Sequence, residues 1–326
     1  MELAYSIAGR SLLIEALDKK SARAIRTLFG GWLFTPIPSL IGLPDSSIRI
    51  RLGSYPSPIP SDLESFEIAN GASCSTDGET FYLAISGSVV VIRSVQPVAN
   101  IWLYKPWSLD PETQAQIISY GVSAALRRCG VFDVHSGGVV APDGTTALCI
   151  GPSGSGKSTL TLQLLSAGWG YLSDDVILLS DSERGIEARG VRRVFALTQT
   201  SLEAAMLASP VMTTAGSTSS KLALVPQDYF PDRLTSSSIP GVLLFLKIVK
   251  AGTSSFQKLT EYEAMTRLLK QCPWACYDKP VANNYVSVLG TLVKQSTAFD
   301  LFLGADLLES PDFALRLLNP IIEKSK

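Results

Sequence analysis

The sequence has few charged residues and a single histidine. Only 17% of its 326 residues are charged, the net charge is −1, and no basic tail or block occurs. Proteins that bind nucleic acid typically carry a strongly basic face, so nucleic acid is not expected as a partner. The hydrophobic fraction of 46% is typical of a core-rich globular protein with two domains or one large domain.

Paired cysteines are also missing. The five cysteines are odd in number and scattered through the chain, which favours free thiols in a reducing compartment over a disulfide framework. Cys272 and Cys276 are close together, but no second pair or nearby histidine completes a zinc set. Both are therefore predicted to be core residues.

Targeting signals and long apolar runs are absent from the sequence as well. The N-terminus has no basic region ahead of an apolar run, which argues against a secretory signal. The apolar stretch at residues 28–43 is interrupted by two glycines and two prolines, whereas a membrane span needs about 20 largely uninterrupted apolar residues. A soluble, cytoplasmic protein with no membrane partner is expected.

The most informative stretch is a complete phosphate-binding loop (P-loop) of the form G-x-x-x-x-G-K-[ST] at residues 151–159. Glycines let backbone N–H groups close around phosphate oxygens, where a side chain would block the approach. Lys157 is predicted to reach the outer phosphates, and the Ser158 hydroxyl to ligate Mg²⁺. The residues predicted to bind the nucleotide are Gly151, Ser153, Gly154, Ser155, Gly156, Lys157, Ser158 and Thr159.

The flanks of the P-loop agree with this prediction. A short apolar run at residues 147–150 is typical of a buried strand, and apolar residues recur at helical spacing from Lys157 to a stop at Gly168. The positive end of that helix would point at the bound anion. A Gly/Ser-rich surface turn that fits the pattern by chance is the alternative.

Two adjacent acids follow at a short distance. Asp174 and Asp175 lie in an apolar stretch, with Asp175 eighteen residues after Lys157. Nucleotide enzymes need a carboxylate near the metal, so one acid is predicted to serve Mg²⁺. The other would accept a hydroxyl proton during phosphoryl transfer. A solvated Asp-Asp turn remains the alternative.

His135 precedes the P-loop strand and is the only histidine of the chain. Taken alone, a single histidine is more typical of a structural residue than of a functional one. Its position in the sequence does not by itself give it a role near the phosphates.

Together these motifs carry a resemblance to a known family. The order of His135, a Gly-x-Val-x run, the P-loop and Asp174-Asp175 resembles the catalytic domain of the HPr kinase/phosphorylase family, over residues 134–179. Phosphoenolpyruvate carboxykinases are a more distant branch of that fold. The chain also resembles the shorter HPr-kinase-related proteins of peptide-modification operons, some of which phosphorylate a serine of a ribosomal peptide, including lasso-peptide precursors.

The resemblance implies a role for each matching residue. Lys157 would bind phosphate and Ser158 would hold Mg²⁺. Asp175 would accept the proton of the substrate hydroxyl, Asp174 would support it or the metal, and His135 would lie beside the phosphoryl-transfer centre. The resemblance also implies ATP as the donor, a peptide or protein hydroxyl as the acceptor, and a homo-oligomer.

The sequence departs from the family pattern in two places. The Glu-x-Arg-Gly motif that supplies a second metal ligand has a counterpart in Glu187-Ala188-Arg189-Gly190, which lies much nearer the Asp pair than expected. Glu187 is therefore a candidate third metal residue, or a coincidence. No arginine-rich segment precedes the apolar run at residues 241–246, which argues against phosphorylase activity.

Basic residues after the Asp pair could neutralise transition-state charge. Arg192, Arg193 and Lys221 are the candidates. An ordinary surface charge is the alternative for each of them.

The pattern of elements predicts an α/β protein with two domains. Residues 1–105 form a smaller, strand-rich domain with hairpins at residues 4–16 and 80–92, a strand at 47–52 and one helix at 20–28. Substrate recognition is a possible role for it. Residues 106–326 form a P-loop, HPr-kinase-like catalytic domain in which strands and helices alternate, with helices at 111–128, 261–271, 283–297 and 313–323.

These observations favour an ATP- and Mg²⁺-dependent kinase that phosphorylates a serine of a peptide or protein. One alternative keeps the chemistry and takes a small-molecule hydroxyl as acceptor. The other is a nucleotide-binding ATPase or switch without an acceptor.

Overall fold

The computed structural model describes residues 1–30, 34–38, 48–53, 59–68, 71–93, 96–105, 109, 111–191, 194–205, 212–213, 222–249, 252–309 and 311–325. In chain order, the elements begin with β1 (Glu2–Ile7), β2 (Arg10–Glu15), α1 (Lys19–Gly30), β3 (Thr35–Pro36), β4 (Ile48–Gly53), β5 (Ser65–Glu67), β6 (Ser73–Thr76), β7 (Thr80–Ile85), β8 (Ser88–Arg93), β9 (Val98–Trp102), α2 (Pro111–Arg128) and β10 (Val131–Val134). They continue with β11 (Ser136–Val140), β12 (Thr146–Ile150), α3 (Lys157–Ser166), β13 (Gly170–Ser173), β14 (Ile177–Ser182), β15 (Gly185–Gly190), β16 (Phe195–Leu197), α4 (Gln199–Ala204), β17 (Met212–Thr213), β18 (Leu222–Leu224), α5 (Pro226–Tyr229), β19 (Ser237–Ser238), β20 (Pro240–Ile248), β21 (Ser255–Lys258), α6 (Glu261–Gln271), α7 (Trp274–Tyr277), α8 (Lys279–Gln295), β22 (Thr297–Leu303) and α9 (Pro311–Glu323).

The chain forms a mixed α/β protein whose contacts divide it into two compact units. Unit 1 comprises Met1–Phe132 and Pro273–Ser287, and unit 2 comprises Asp133–Cys272 and Val288–Lys326. The predicted domain boundary at residues 105/106 falls inside unit 1, between β9 and α2. Within the described ranges, every helix is too short or too polar to cross a bilayer.

Unit 1 contains a mixed sheet in the order β3-β1-β2-β4-β9-β8-β7-β6-β5. The neighbours β2, β4 and β9 run parallel, and the hairpins β1/β2 and β7/β8 are antiparallel. Along β4, Ile48 and Ile50 are buried while Arg49 and Arg51 are exposed, as the two-residue period of a half-buried strand requires.

Most predictions for this region are confirmed. Both hairpins, the strand near residues 47–52 and the helix near residues 20–28 are present. Helix α2 begins at Pro111 and ends at Arg128, and Gly130 follows with a φ of +74°. Asp110, which directly precedes this helix, lies outside the described residues.

Unit 2 is built around a mixed sheet in the order β13-β11-β12-β20-β22-β21. Strands β12, β20 and β22 are parallel, whereas β11 runs antiparallel to both β12 and β13. The carboxyl ends of β12, β13 and β20 therefore lie at the same edge of the sheet as the amino end of β11. This topology collects four chain segments at one edge.

Helix α3, which follows the P-loop, is buried on two faces. Leu160 and Leu164 belong to a core cluster with β12, β20 and α9, while Leu162 and Leu165 pack into a second cluster with Tyr171. A helix that is apolar on opposite sides is typically enclosed by other elements. The helix is thus packed against two separate apolar clusters.

Three predictions need correction. Three strands (β10, β11 and β12) follow one another before α3, so strands and helices do not simply alternate. The predicted helix at residues 283–297 begins earlier, at Lys279, and ends at Gln295, because Thr297 starts β22. Cys272 is buried as predicted, but Cys276 is exposed rather than in the core.

Candidate active site

The candidate residues gather where the strands of unit 2 reach one edge. Ser136 at the start of β11 pairs with Ile150 at the end of β12, and Gly138 pairs with Ser173 at the end of β13. The P-loop leaves β12 at this edge. Because β11 is antiparallel to its neighbours, His135, the P-loop and the Asp pair come together although they are spread over forty positions.

Glycines give the P-loop its conformation. Gly154 and Gly156 have φ values of +81° and +93°, a region that side-chain-bearing residues rarely adopt. A Cβ on Gly151 would lie 2.6 Å from the Ser155 Oγ and 3.1 Å from the Leu246 carbonyl oxygen. A side chain at these positions would therefore deform the loop.

The P-loop has the features of an anion cradle. Helix α3 begins at Lys157 with Gly156 as an N-cap that offers no side-chain acceptor. The first N–H groups of a helix have no intrahelical acceptor, and the helix dipole is positive there. The Ser155 hydroxyl is buried and has no hydrogen-bond partner among the described residues. An orphaned buried donor beside a helix N-terminus fits a phosphate ligand.

Lys157 lies over the beginning of its own loop. Its ammonium donates to the carbonyl oxygens of Gly151 at 2.8 Å and Pro152 at 2.9 Å, and the residue is only 6% exposed. The positive charge is therefore held against the first two residues of the loop. The phosphate-binding role of Lys157 stays a prediction.

Ser158 and Asp174, which are both predicted to hold Mg²⁺, are in direct contact. The Ser158 hydroxyl donates to both carboxylate oxygens of Asp174, at 2.9 and 3.0 Å. Neighbouring oxygen ligands of an octahedral Mg²⁺ lie about 2.9 Å apart, because each is about 2.05 Å from the ion. The two side chains thus supply oxygen ligands of the kind that Mg²⁺ prefers.

The remaining ligands of such an ion are not supplied by a protein cluster in the described part of the chain. No group of three or more His, Cys, Asp or Glu side chains there is placed to hold a metal. Mg²⁺ commonly completes its shell with phosphate oxygens and water. The Glu187 carboxylate accepts a hydrogen bond from Arg189 at 2.7 Å, and its metal role stays a prediction.

The two adjacent acids have opposite surroundings. Asp174 is 2% exposed, whereas the side chain of Asp175 is 43% exposed. The backbone reverses between them: the φ of Asp175 is +72°, and the Val176 N–H donates to the Asp174 carbonyl at 2.9 Å. This i→i+2 bond around a positive φ describes a γ-turn of the rare, strained kind. Backbone strain of this sort concentrates at functional sites.

His135 contacts the exposed acid. Its Nδ1 lies 3.1 Å from the Asp175 Oδ1, and its side chain is 36% exposed. The Ser136 N–H donates to the Asp175 carbonyl at 3.1 Å, which fixes the strained turn against β11. Asp175 therefore presents an oriented carboxylate to solvent, within the same edge that carries the P-loop.

Ser173 supports the turn and was not identified from the sequence. Its buried hydroxyl donates to the Val176 carbonyl at 2.8 Å and accepts from the Val191 N–H at 3.1 Å. The Ser173 side chain thus bridges the two ends of the turn at Asp175 and connects the turn to the residue after β15. A lone serine before two acids carries no distinctive signal, so only the structure shows this role.

The other predicted residues differ in placement. Ser153 and Gly154 are exposed at the tip of the P-loop. The Thr159 hydroxyl is 2.7 Å from that of Ser201 near the start of α4, so this side chain anchors a helix. Arg192, Arg193 and Lys221 lie outside the described residues.

Below the P-loop, Cys149 is fully buried in β12. Burial raises the pKa of its thiol to about 12, and the charge of Asp174 adds to the effect while that of Lys157 opposes it. The thiol is therefore neutral at physiological pH. It acts as a small apolar support for the loop.

A cavity of about 600 Å³ adjoins the P-loop within unit 2. Its walls are residues 150–155, the carboxyl end of β20 and the last turns of α6. Three of the residues that line it are cationic and were not identified from the sequence: Lys247, Arg267 and Lys270.

The buried Asp300 fixes two of these cations. Arg267 donates to its two carboxylate oxygens at 2.8 and 2.7 Å, and Lys247 donates at 2.8 Å. Burial opposes ionisation of Asp300, but the hydrogen bonds from Arg267 and Lys247 outweigh it and hold the pKa below its usual range. The detectable signal was a lone acid in the apolar run of β22 (Thr297–Leu303), because a buried charge is rarely left without partners.

Comparison with solved structures finds a distant likeness. The chain is similar to the HPr(Ser) kinase/phosphatase from Coxiella burnetii at a TM-score of 0.32 and 13% sequence identity, over 59% of this chain and 97% of that chain. No protein-family model and no curated protein matches the sequence. A likeness at this level does not define the activity.

Proposed function

We propose that this chain is an ATP-dependent kinase with an HPr-kinase-like catalytic region that transfers the γ-phosphate to a serine hydroxyl of a peptide or protein. The observation that carries the proposal is the edge of the unit 2 sheet. There the phosphate cradle, the Ser158–Asp174 pair and the His135–Asp175 pair stand together. Phosphoryl transfer needs these parts: a phosphate clamp, an oxygen site for Mg²⁺ and a proton acceptor.

Each group has a distinct task in this proposal. The N–H groups of the P-loop and the Lys157 ammonium hold the phosphates and neutralise their charge. Mg²⁺, held by Ser158 and Asp174, would supply further charge neutralisation at the phosphate oxygens. Asp175 accepts the proton of the acceptor hydroxyl, and His135 orients its carboxylate. Positioning and charge supply most of the rate.

The exposure of the acid supports a large acceptor. With side chains 43% and 36% exposed, Asp175 and His135 face solvent rather than an enclosed chamber. A serine on a peptide or a protein surface can approach an acid of this kind directly. A free metabolite would find fewer contacts around it, which ranks the small-molecule kinase second.

The test is mass spectrometry of serine-containing peptides incubated with the chain, ATP and Mg²⁺. A gain of one phosphate on serine is expected. Asp175→Asn should lower the transfer rate by about 10²-fold or more, because the proton acceptor is lost. The ATP affinity should stay nearly unchanged, because asparagine also tolerates the positive φ of this turn. Asp181→Asn, an exposed acid on β14, is the matched control.

Other outcomes would reassign the protein. Lys157→Ala should abolish nucleotide-dependent turnover, and full activity in that variant would remove the P-loop from the mechanism. ATP hydrolysis that needs no acceptor and survives Asp175→Asn would instead identify an ATPase or switch. Loss of ATP binding in Asp175→Asn would make that residue a structural or metal-holding one.

A further inference from the structure

We propose that the cavity beside the P-loop is the subsite for the nucleoside end of the nucleotide, with Ile248 and its apolar neighbours against the base and the cationic rim near the α-phosphate. This inference rests on the proposed kinase function. It assigns a ligand to Lys247, Ile248, Arg267 and Lys270, to which the transfer chemistry gives no task.

The first argument is the order of the strands at the edge. The Asp pair follows β13, His135 precedes β11, the P-loop follows β12, and the cavity lies at the end of β20. Neighbouring strands are about 4.8 Å apart. The proton acceptor and the cavity are thus on opposite sides of the phosphate cradle.

The geometry of in-line phosphoryl transfer matches this placement of the proton acceptor and the cavity. The attacking and leaving oxygens lie on opposite sides of the transferred phosphoryl group. If the acceptor hydroxyl approaches from the side of Asp175, the diphosphate leaving group extends toward β20. The nucleoside attached to that diphosphate then reaches the cavity.

The size and lining of the cavity suit a nucleoside. Its volume of about 600 Å³ lies within the range of small-molecule sites, about 300–1,000 Å³. Phe245, Leu246 and Ile248 contribute apolar wall, and Thr266 and Gln271 contribute hydrogen-bonding groups. Ile248 is 62% exposed, so its side chain is accessible at the cavity wall.

The positive charge of the cationic rim (Lys247, Arg267 and Lys270) suits a phosphate. Three cations line the cavity, and the Asp300 carboxylate contacts two of them, so positive charge remains in excess beside the P-loop. Asp300 holds Lys247 and Arg267 in place from below, so little side-chain freedom is lost when an anion binds. A planar guanidinium can also stack on an aromatic base.

The decisive experiment compares two ligands by calorimetry on the full chain with Mg²⁺. ATP has a nucleoside, whereas inorganic tripolyphosphate has only the phosphate chain. Ile248→Ala should weaken ATP binding by about fivefold or more and leave tripolyphosphate binding unchanged. Leu308→Ala, which truncates another exposed apolar residue of unit 2, should change neither.

The same titrations separate the two proposals. Equal affinity of wild type and Ile248→Ala for ATP would overturn the nucleoside subsite while the kinase function stands. The subsite would also fall if ATP affinity stayed constant and the KM for the acceptor peptide rose, because the cavity would then belong to the acceptor. Wild-type protein that binds neither ligand would overturn the proposed function and the subsite with it.

Discussion

Two buried aspartates of this protein each hold two cations, one in unit 1 and one in unit 2. In unit 1, Asp278 accepts hydrogen bonds from Arg127 at 3.0 Å and from Arg128 at 2.7 Å. In unit 2, Asp300 accepts from Arg267 and Lys247 at 2.7 to 2.8 Å. The chemistry and the distances are nearly the same.

The surroundings of the two clusters differ completely. The side chains of Arg127, Arg128 and Asp278 are 1%, 0% and 0% exposed, and the Arg127 guanidinium also lies 4.9 Å from the centre of the Trp274 ring. Lys247 and Arg267 are 48% and 27% exposed, at the wall of a cavity. The sealed cluster (Arg127, Arg128 and Asp278) can therefore act only on the stability of the fold. The open cluster (Lys247, Arg267 and Asp300) can also present its cations to a ligand.

The largest loss of unfolding free energy is expected when the carboxylate of the sealed cluster is removed. Asp278→Asn leaves two buried guanidinium groups without a carboxylate, and removal of one partner of a buried ion pair typically costs about 3–5 kcal/mol. Burial already lowers the pKa of Arg128, against the effect of Asp278. Urea unfolding should therefore show a loss of this size.

The control is Asp181→Asn, which removes an exposed carboxylate and should change the free energy of unfolding by less than about 0.5 kcal/mol. A loss below about 1 kcal/mol in Asp278→Asn would show that the arginines find other acceptors or water. The contrast between the sealed and the open cluster would then be lost.

Removal of the carboxylate from the open cluster should lower the free energy of unfolding by less. In Asp300→Asn, Lys247 and Arg267 can turn toward the solvent of the cavity, so we expect a loss of about 1–2 kcal/mol. The same unfolding experiment measures it. A loss equal to that of Asp278→Asn would mean that the exposed cations are held as tightly as the sealed ones, and would contradict the comparison.

Local signals explain what the sequence predicts correctly. The strand β12, the P-loop and α3 are contiguous in the chain, so motif, apolar run and helical spacing all report on the same few residues. The hairpins and α2 are equally local. The strained turn at Asp175 and its contact with His135 are not local in this sense, because they depend on β11 running antiparallel between β12 and β13.

The two aspartate clusters lie beyond such signals. Asp278 is 150 residues from Arg128, and Asp300 is 33 and 53 residues from its partners. No spacing rule connects residues at such separations, since only the tertiary packing within each unit brings them together. No element was predicted at residues 298–303, where the strand β22 contains Asp300 as the one acid of an apolar run.

The smallest expected effect is a change of stability with pH that belongs to the open cluster. Burial raises the pKa of Asp300, but the hydrogen bonds from Arg267 and Lys247 lower it further, so the folded-state pKa is below the ordinary value. A carboxyl of this kind stabilises the fold fully above the ordinary pKa of about 4 and loses its contribution as the pH falls through the folded-state value.

The difference in unfolding free energy between wild type and Asp300→Asn should thus be constant from pH 7 to pH 5 and shrink by about 1 kcal/mol or less on acidification to pH 3. Taking the difference between the two proteins cancels the other carboxyls. If the difference were the same at pH 3 and at pH 7, Asp300 would not be ionised against its two cations in the folded protein.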